Sequence, residues 1–170
     1  MKRLLIMLPA ALLLTGCRGD DWTDSLHDAL QDATRLRVLP GAMHPLSINA
    51  PETVLLDLDD PAEVARVVQA IHIDADESGF ACGCGGEFRP EFYRDETLLE
   101  TLTYHHGRSL RWDDWEEGDG LLTDEAQAFL NAWLDRHGVS VPEVEDPFGQ
   151  PHPTPASSSA AEPAPTDEHR

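Results

Sequence analysis

Two cysteines separated by one glycine are the residues of this chain best suited to chemistry. Cys82 and Cys84 lie in a glycine-rich segment, and the adjacent pair His105 and His106 follows later in the chain. On an extended backbone residues i and i+2 point to the same side, so both sulfur atoms could reach one ion. Thiolates combined with imidazoles suit Zn²⁺ or Cu(I), so these four residues form a candidate transition-metal site. Adjacent histidines diverge on a regular strand, however, and both converge only if the chain bends at Gly107.

The same cysteines support two further interpretations. In an oxidising compartment Cys82 and Cys84 could close a small, strained disulfide, and such strain is what thiol–disulfide exchange needs. The usual C-x-x-C spacing is absent, and no lysine lies nearby to lower a thiol pKa. In the third interpretation the glycine-rich segment makes a tight approach to a sheet, the cysteines pack or pair, and the histidines end a strand. The residue types alone leave all three interpretations open.

A short basic and aromatic run could contact a ligand or a partner. Arg108, Arg111 and Trp112 would present two guanidinium groups beside an indole, which suits a carboxylate or a peptide. Internal pairing of the arginines with the abundant acidic residues is the alternative. The sequence contains no G-x-S-x-G, no H-E-x-x-H and no glycine-rich phosphate loop after a strand, so no catalytic residue is predicted. We therefore expect a binding protein rather than an enzyme.

The charge of the chain excludes one class of partner. Its 170 residues include 32 acidic and 12 basic side chains, and the formal net charge is −20 at pH 7. A chain this acidic will not follow nucleic-acid phosphates, so DNA or RNA binding is excluded. Hydrophobic residues make up 41 % of the chain, which is enough for a modest core. The length suits one domain with tails.

The N-terminal residues predict export. Lys2 and Arg3 precede a run of roughly a dozen apolar residues, which is typical of a secretory signal and too short to span a membrane core about 30 Å thick. The segment ends in Leu14-Thr15-Gly16-Cys17. These four residues resemble the lipobox of bacterial lipoproteins. The resemblance implies cleavage before Cys17 and attachment of fatty acyl chains, such as palmitate, to that cysteine.

The lipobox also implies a location in the cell. Residues 1–16 would be the signal peptide, and residues 17–19 a lipidated linker. Several acyl chains are sufficient for stable anchoring without a spanning helix, so the protein would face the periplasm from a membrane of the cell envelope. Arg18 follows the lipidated position, where an aspartate would imply retention in the inner membrane of enterobacteria. The outer membrane is therefore favoured.

Composition divides the rest of the chain into a domain and a tail. Residues 20–141 contain the segments with apolar periodicity. Residues 142–170 are rich in proline, serine, alanine and glutamate and lack such periodicity. A segment of this kind cannot bury enough apolar surface to offset its chain entropy. We therefore predict an ordered domain over 20–141 and a disordered tail over 142–170.

Local signals predict two or three helices and a small antiparallel sheet of four to five strands. Asp60 begins one helix as the N-cap before a proline, with Glu63 placed for a capping box. Thr123 caps a second helix, and a third covers about 20–34. Strand signals lie at about 36–39, 53–58, 88–93, 98–105 and 109–112. Pro90 cannot donate a hydrogen bond and indicates an edge strand. The order of these elements predicts an α+β fold.

Part of the domain resembles an uncharacterised bacterial family. The similar elements are C-x-C-G-G at 82–86, H-H-G-x-S-L-R-W at 105–112, and L-T followed by W-L-x-x-x-G-V at 122–139. The resemblance covers about 36–139, and the middle element is the most specific. Relatives often carry a cysteine where this chain has Gly85, which argues against a site with three thiolates here. The family has no assigned activity, so the resemblance implies no reaction.

These observations predict a lipid-anchored protein of the cell envelope that binds a ligand or an envelope protein without catalysis. The region of Cys82, Cys84, His105 and His106 is the candidate contact. A Zn or Cu binding module formed by these residues is the first alternative. A thiol–disulfide redox protein is the second.

Overall fold

The computed structural model describes residues 21–116 and 118–141 of the chain. The described helices are α1 (Asp21–Leu30), α2 (Pro61–Ala70) and α3 (Asp124–Arg136). The described strands are β1 (Arg35–Pro40), β2 (Leu56–Leu58), β3 (Ile73–Asp74), β4 (Phe88–Arg94), β5 (Thr97–His105), β6 (Ser109–Trp112) and β7 (Gly120–Leu122). None of these helices is long and apolar enough to cross a membrane. The predicted signal peptide 1–16, lipidated linker 17–19 and tail 142–170 lie outside the described residues.

All seven described strands form one antiparallel sheet, in the order β2-β1-β4-β5-β6-β7-β3. With the helices it makes the α+β fold that the sequence predicts. The sheet is larger than the four to five strands expected, because β3 and β7 pair with each other and extend it. These strands have only two and three residues. Such short segments cannot display the alternation by which a strand is recognised in a sequence.

The hydrophobic core lies between one face of this sheet and the three helices. Leu36, Val38, Phe92, Leu102 and Tyr104 point to that face, and each is almost completely buried. The helices contribute Leu26, Leu30, Val64, Val67, Val68, Leu130, Trp133 and Leu134. Because side chains alternate along a strand, mostly polar residues occupy the opposite face, together with the buried Leu39 of β1. We call this the open face of the sheet.

The caps of α2 and α3 confirm the predicted starts of these two helices. Oδ1 of Asp60 accepts hydrogen bonds from the backbone N–H groups of Ala62 at 3.0 Å and Glu63 at 3.3 Å. Glu63 does not complete a capping box, because its carboxylate instead accepts from Nε1 of Trp133 at 2.8 Å. Oγ1 of Thr123 caps α3 by accepting from the N–H of Ala126 at 3.3 Å. The first helix ends at Leu30, before the expected limit.

The prediction that Pro90 marks a sheet edge is wrong. Strand β4 lies inside the sheet, between β1 and β5, and Pro90 faces Val38 across the β1 pairing. On the other side, the register with β5 runs through Phe88–Tyr104 and Glu91–Thr101 and omits Pro90. Pro90 therefore lies at a gap in the hydrogen bonding between β4 and β5, where no backbone N–H donor is required.

Candidate metal centre

The candidate residues lie on the open face, at the end of the β5–β6 hairpin. Tyr104 points into the core, so the next residue, His105, points to the open face. Phe88 is the partner of Tyr104 across the sheet, and the preceding residue, Glu87, therefore also faces the open side. The core is complete without these side chains. The site is thus separated from the packing that holds the domain together.

The turn after β5 brings both histidines to one place. His106 has φ +54° and Gly107 has φ +65°, so two consecutive residues adopt the left-handed conformation. A non-glycine residue pays roughly 1–2 kcal/mol for this conformation. The left-handed backbone at His106 breaks the alternation of the strand, so its ring lies on the same side as that of His105. The bend that the sequence analysis required therefore begins one residue before Gly107.

Ligand atoms of three residues lie close together at this point, and a second imidazole contacts the two sulfurs. Sγ of Cys84 lies 3.1 Å from Nδ1 of His105 and 3.2 Å from Nε2 of His106. Sγ of Cys82 lies 3.3 Å from Nε2 of His106. Ligand atoms of Cys82, Cys84 and His105 all lie within 4.8 Å of one another, so this group could hold a metal ion. The sulfur–nitrogen edge of a tetrahedral zinc site is about 3.6 Å, which is close to the three measured distances.

A charged pair holds the cysteine loop in place. Oδ2 of Asp119 accepts a hydrogen bond from the N–H of Cys82 at 3.0 Å. Asp119 is itself bound by Nε of Arg111 at 2.6 Å, and Nη2 of Arg111 donates to the carbonyl of Cys82 at 2.5 Å. Nη1 of Arg111 donates to the carbonyl of Cys84 at 3.3 Å. The N–H of Cys84 donates to Sγ of Cys82 at 3.3 Å, which favours a thiolate at that atom.

The two thiols differ in the direction in which their pKa values shift. Burial raises the pKa of the Cys82 thiol, but hydrogen bonds from Cys84 and His106 outweigh burial and leave that pKa below its usual value. Burial and the hydrogen bond with Cys82 raise the pKa of Cys84. Burial lowers the pKa of His105, which favours the neutral form of its ring. Both thiols are free in the structure, so no disulfide occupies the site.

Two glycines allow the cysteine loop to lie against the sheet. Gly86 has φ +67°, and a Cβ atom there would lie 2.3 Å from Cγ2 of Thr103 and 2.8 Å from the carbonyl of Tyr104. At Gly85 a Cβ atom would lie 2.3 Å from Cβ of Ala42. Neither position accepts a side chain in this conformation. A third thiolate at position 85 is therefore excluded by space.

The structure does not bring the second group of candidate residues together. Arg111 lies on the open face and is bound to Asp119, in agreement with the internal pairing considered from the sequence. Trp112 points to the core side, where it is buried and donates to Glu100 at 2.7 Å. Arg108 is exposed at the hairpin turn. The lipidation candidate Cys17 lies outside the described residues.

The sequence analysis missed two acidic residues of the site. Glu87 and Asp119 are both buried, with 5 % and 4 % of their surfaces exposed. The position of Glu87 directly before Phe88, the first residue of β4, was a usable signal, because alternation places the acid on the face opposite the core. Asp119 carries no such signal, since it precedes a strand of only three residues.

Comparisons with known proteins gave no match for this chain. No protein family, no curated protein and no solved structure matches it. The resemblances of the N-terminal segment to a lipobox and of the 36–139 region to an uncharacterised family therefore stay predictions. Any functional conclusion depends on the geometry of the site itself.

Proposed function

We propose that this domain is a metal-binding module that holds one Zn²⁺ or Cu(I) ion through Cys82, Cys84, His105 and His106. The observation that carries the proposal is the position of Sγ of Cys84, which lies 3.1 and 3.2 Å from nitrogen atoms of two different imidazoles. Two thiolates and two imidazoles are a typical ligand set for these ions. The left-handed backbone at His106 has a cost, and a bound ion would offset it.

The ligand set favours binding over catalysis. Catalytic zinc sites keep one position open for water or substrate, whereas sites with four protein ligands are closed. Cys82, Cys84 and His105 lie within reach of one ion, and His106 contacts both sulfurs. With His106 as the fourth ligand, the ion would have no free position. A closed site agrees with the expectation of a non-enzymatic binding protein.

Elemental analysis of the mature protein tests this function directly. The protein is purified under reducing, anaerobic conditions, and the metal-free form is titrated with Zn²⁺ and with Cu(I). We expect one equivalent of zinc or copper per chain, together with protection of both thiols from alkylation. A protein that takes up neither ion in stoichiometric amount would refute the proposal.

Thiol–disulfide exchange is the second candidate function. It is favoured by the lowered pKa of Cys82 and by the free thiol of Cys84 beside it. Mass spectrometry after alkylation at graded redox potentials separates the two functions. If Cys82 and Cys84 of the metal-free protein stay in one redox state at all potentials tested, thiol–disulfide exchange is refuted.

An envelope protein is the partner that we propose for this module. Two large apolar side chains, Phe80 and Met43, are 78 % and 59 % exposed, and both lie next to the cysteine loop. The N–H of Met43 donates to the carbonyl of Gly86 at 2.8 Å, and the carbonyl of Phe80 accepts from Asp119 at 3.3 Å. We propose that these two exposed apolar side chains form part of the contact with that protein.

We propose that a lipid anchor at Cys17 holds the module on the periplasmic side of the outer membrane. Cys17→Ser removes the sulfur that would carry the lipid, so we expect loss of labelled palmitate and transfer of the protein to the soluble fraction. The matched control is Cys82→Ser, which also loses one thiol and should stay in the membrane fraction. Unchanged palmitate labelling and fractionation of the Cys17→Ser variant would contradict the anchor.

A further inference from the structure

One buried acid beside the candidate metal centre has no arginine partner among the described residues. Glu87 is 5 % exposed, and no arginine pairs with it among residues 21–116 and 118–141. The other buried acid, Asp119, is neutralised by Arg111 at 2.6 Å. An unpaired buried carboxylate is costly, so a nearby positive charge is expected. Among the described residues, His106 is the one basic side chain that the carboxylate of Glu87 contacts.

Glu87 holds His106 at two points. Its Oε2 accepts a hydrogen bond from the backbone N–H of His106 at 2.5 Å, at the residue with the left-handed backbone. Its Oε1 lies 3.3 Å from Nδ1 of the same residue, at an ion-pair distance without an aligned hydrogen bond. The carboxylate therefore faces Nδ1, while Nε2 faces the two sulfur atoms. A histidine that binds a metal through one nitrogen usually donates its other N–H to such a carboxylate.

The charges around the site differ for the two candidate ions. Two thiolates and the carboxylate of Glu87 carry three negative charges, and the Arg111–Asp119 pair is neutral. A divalent ion leaves one negative charge in this buried region, whereas a monovalent ion leaves two. Because Coulomb attraction is proportional to the charge of the ion, Glu87 attracts Zn²⁺ twice as strongly as Cu(I) at the same position.

We propose that Glu87 makes this site a zinc centre, because its buried carboxylate orients His106 and favours a divalent over a monovalent ion. This inference rests on the proposed metal-binding function and identifies the ion. It agrees with the ligand geometry, since a tetrahedral set of two sulfurs and two nitrogens is typical of zinc. Glu87 acts through His106 and is a positioning residue rather than a ligand.

The test compares the affinities for Zn²⁺ and Cu(I) in competition with chelators, for the wild type and for Glu87→Gln. We expect the variant to lose about 10–100-fold in zinc affinity, the usual effect of removing an outer-shell partner. The loss of Cu(I) affinity should be smaller, so the ratio of the two affinities falls. An unchanged ratio would overturn the inference. If the wild type bound neither ion, both this inference and the proposed function would fail.

Two further variants separate charge from folding. Glu91→Gln removes the same charge from the open face, where Glu91 contacts Arg89 and Arg37 rather than the site, and should leave the ratio unchanged. Glu87→Asp keeps the charge and shortens the side chain, so it should keep the ratio close to that of the wild type even if both affinities fall. A ratio that falls in Glu87→Asp as much as in Glu87→Gln would refute the role of charge.

Discussion

Replacement of Cys84 by serine is expected to abolish stoichiometric metal binding. Sγ of Cys84 is the one atom that contacts both histidines, at 3.1 and 3.2 Å, so its loss affects the whole ligand set. A serine hydroxyl stays protonated near neutral pH and is a poor ligand for Zn²⁺ or Cu(I). The affinity should fall by more than the roughly 100-fold upper limit for an outer-shell change. Titration of the metal-free protein in competition with a chelator measures the loss.

The variant should lose the metal without losing the fold. The site lies on the open face, and the buried apolar residues lie on the other, so metal-free Cys84→Ser should unfold at nearly the same urea concentration as the metal-free wild type. His72→Ala is the matched control, since His72 is exposed and distant in the fold from β5. A Cys84→Ser protein with the metal affinity of the wild type would rule out this site.

The largest loss of stability is expected for Trp133→Ala. Trp133 is 1 % exposed and joins α3 to the core, and its Nε1 donates to Glu63 of α2 at 2.8 Å. Removal of a buried tryptophan side chain costs about 3–5 kcal/mol, because apolar contacts are lost and a cavity remains. A domain of this size has about 5–15 kcal/mol of stability in total, so the variant should unfold at a much lower urea concentration. Denaturation followed by circular dichroism measures the change.

Trp133→Phe separates packing from the hydrogen bond to Glu63. Phenylalanine retains most of the buried ring but lacks the N–H donor. Glu63 keeps its ion pair with Arg66, so its carboxylate is not left without a partner. We therefore expect the free energy of unfolding to fall by about 1 kcal/mol. A Trp133→Ala protein within about 1 kcal/mol of the wild type would contradict the packing of α3 against the sheet.

Much of the fold could be predicted from the sequence because its signals are local. The caps at Asp60 and Thr123 act on backbone groups within three residues, so they identify α2 and α3 without tertiary information. Strands β4, β5 and β6 are long enough for their apolar alternation to be visible. Strands β3 and β7 are not, and only their partners in the sheet define them. Likewise, the interior position of Pro90 depends on the register with β5.

The site was predictable in its residue types but not in its geometry. The two cysteines could be placed on one side from their i, i+2 spacing alone. The left-handed conformation of His106 could not be predicted from the sequence. A non-glycine residue adopts this conformation only where the surrounding structure enforces it. That constraint includes the hydrogen bond from the N–H of His106 to Glu87, a residue on a different strand.

The sequence by itself determined the α+β class, the two capped helices, the acidic surface and the four side chains with metal-ligand chemistry, because each depends on composition or on contacts between near neighbours in the chain. Only the tertiary structure decided that Cys82, Cys84 and His105 meet with His106 beside the sulfurs, and that Glu87 and Asp119 are buried there. The β4–β5–β6 pairing and the turn at His106 bring these groups together from distant segments. Distances of this kind are set by the packing of the whole sheet, and no local pattern records them.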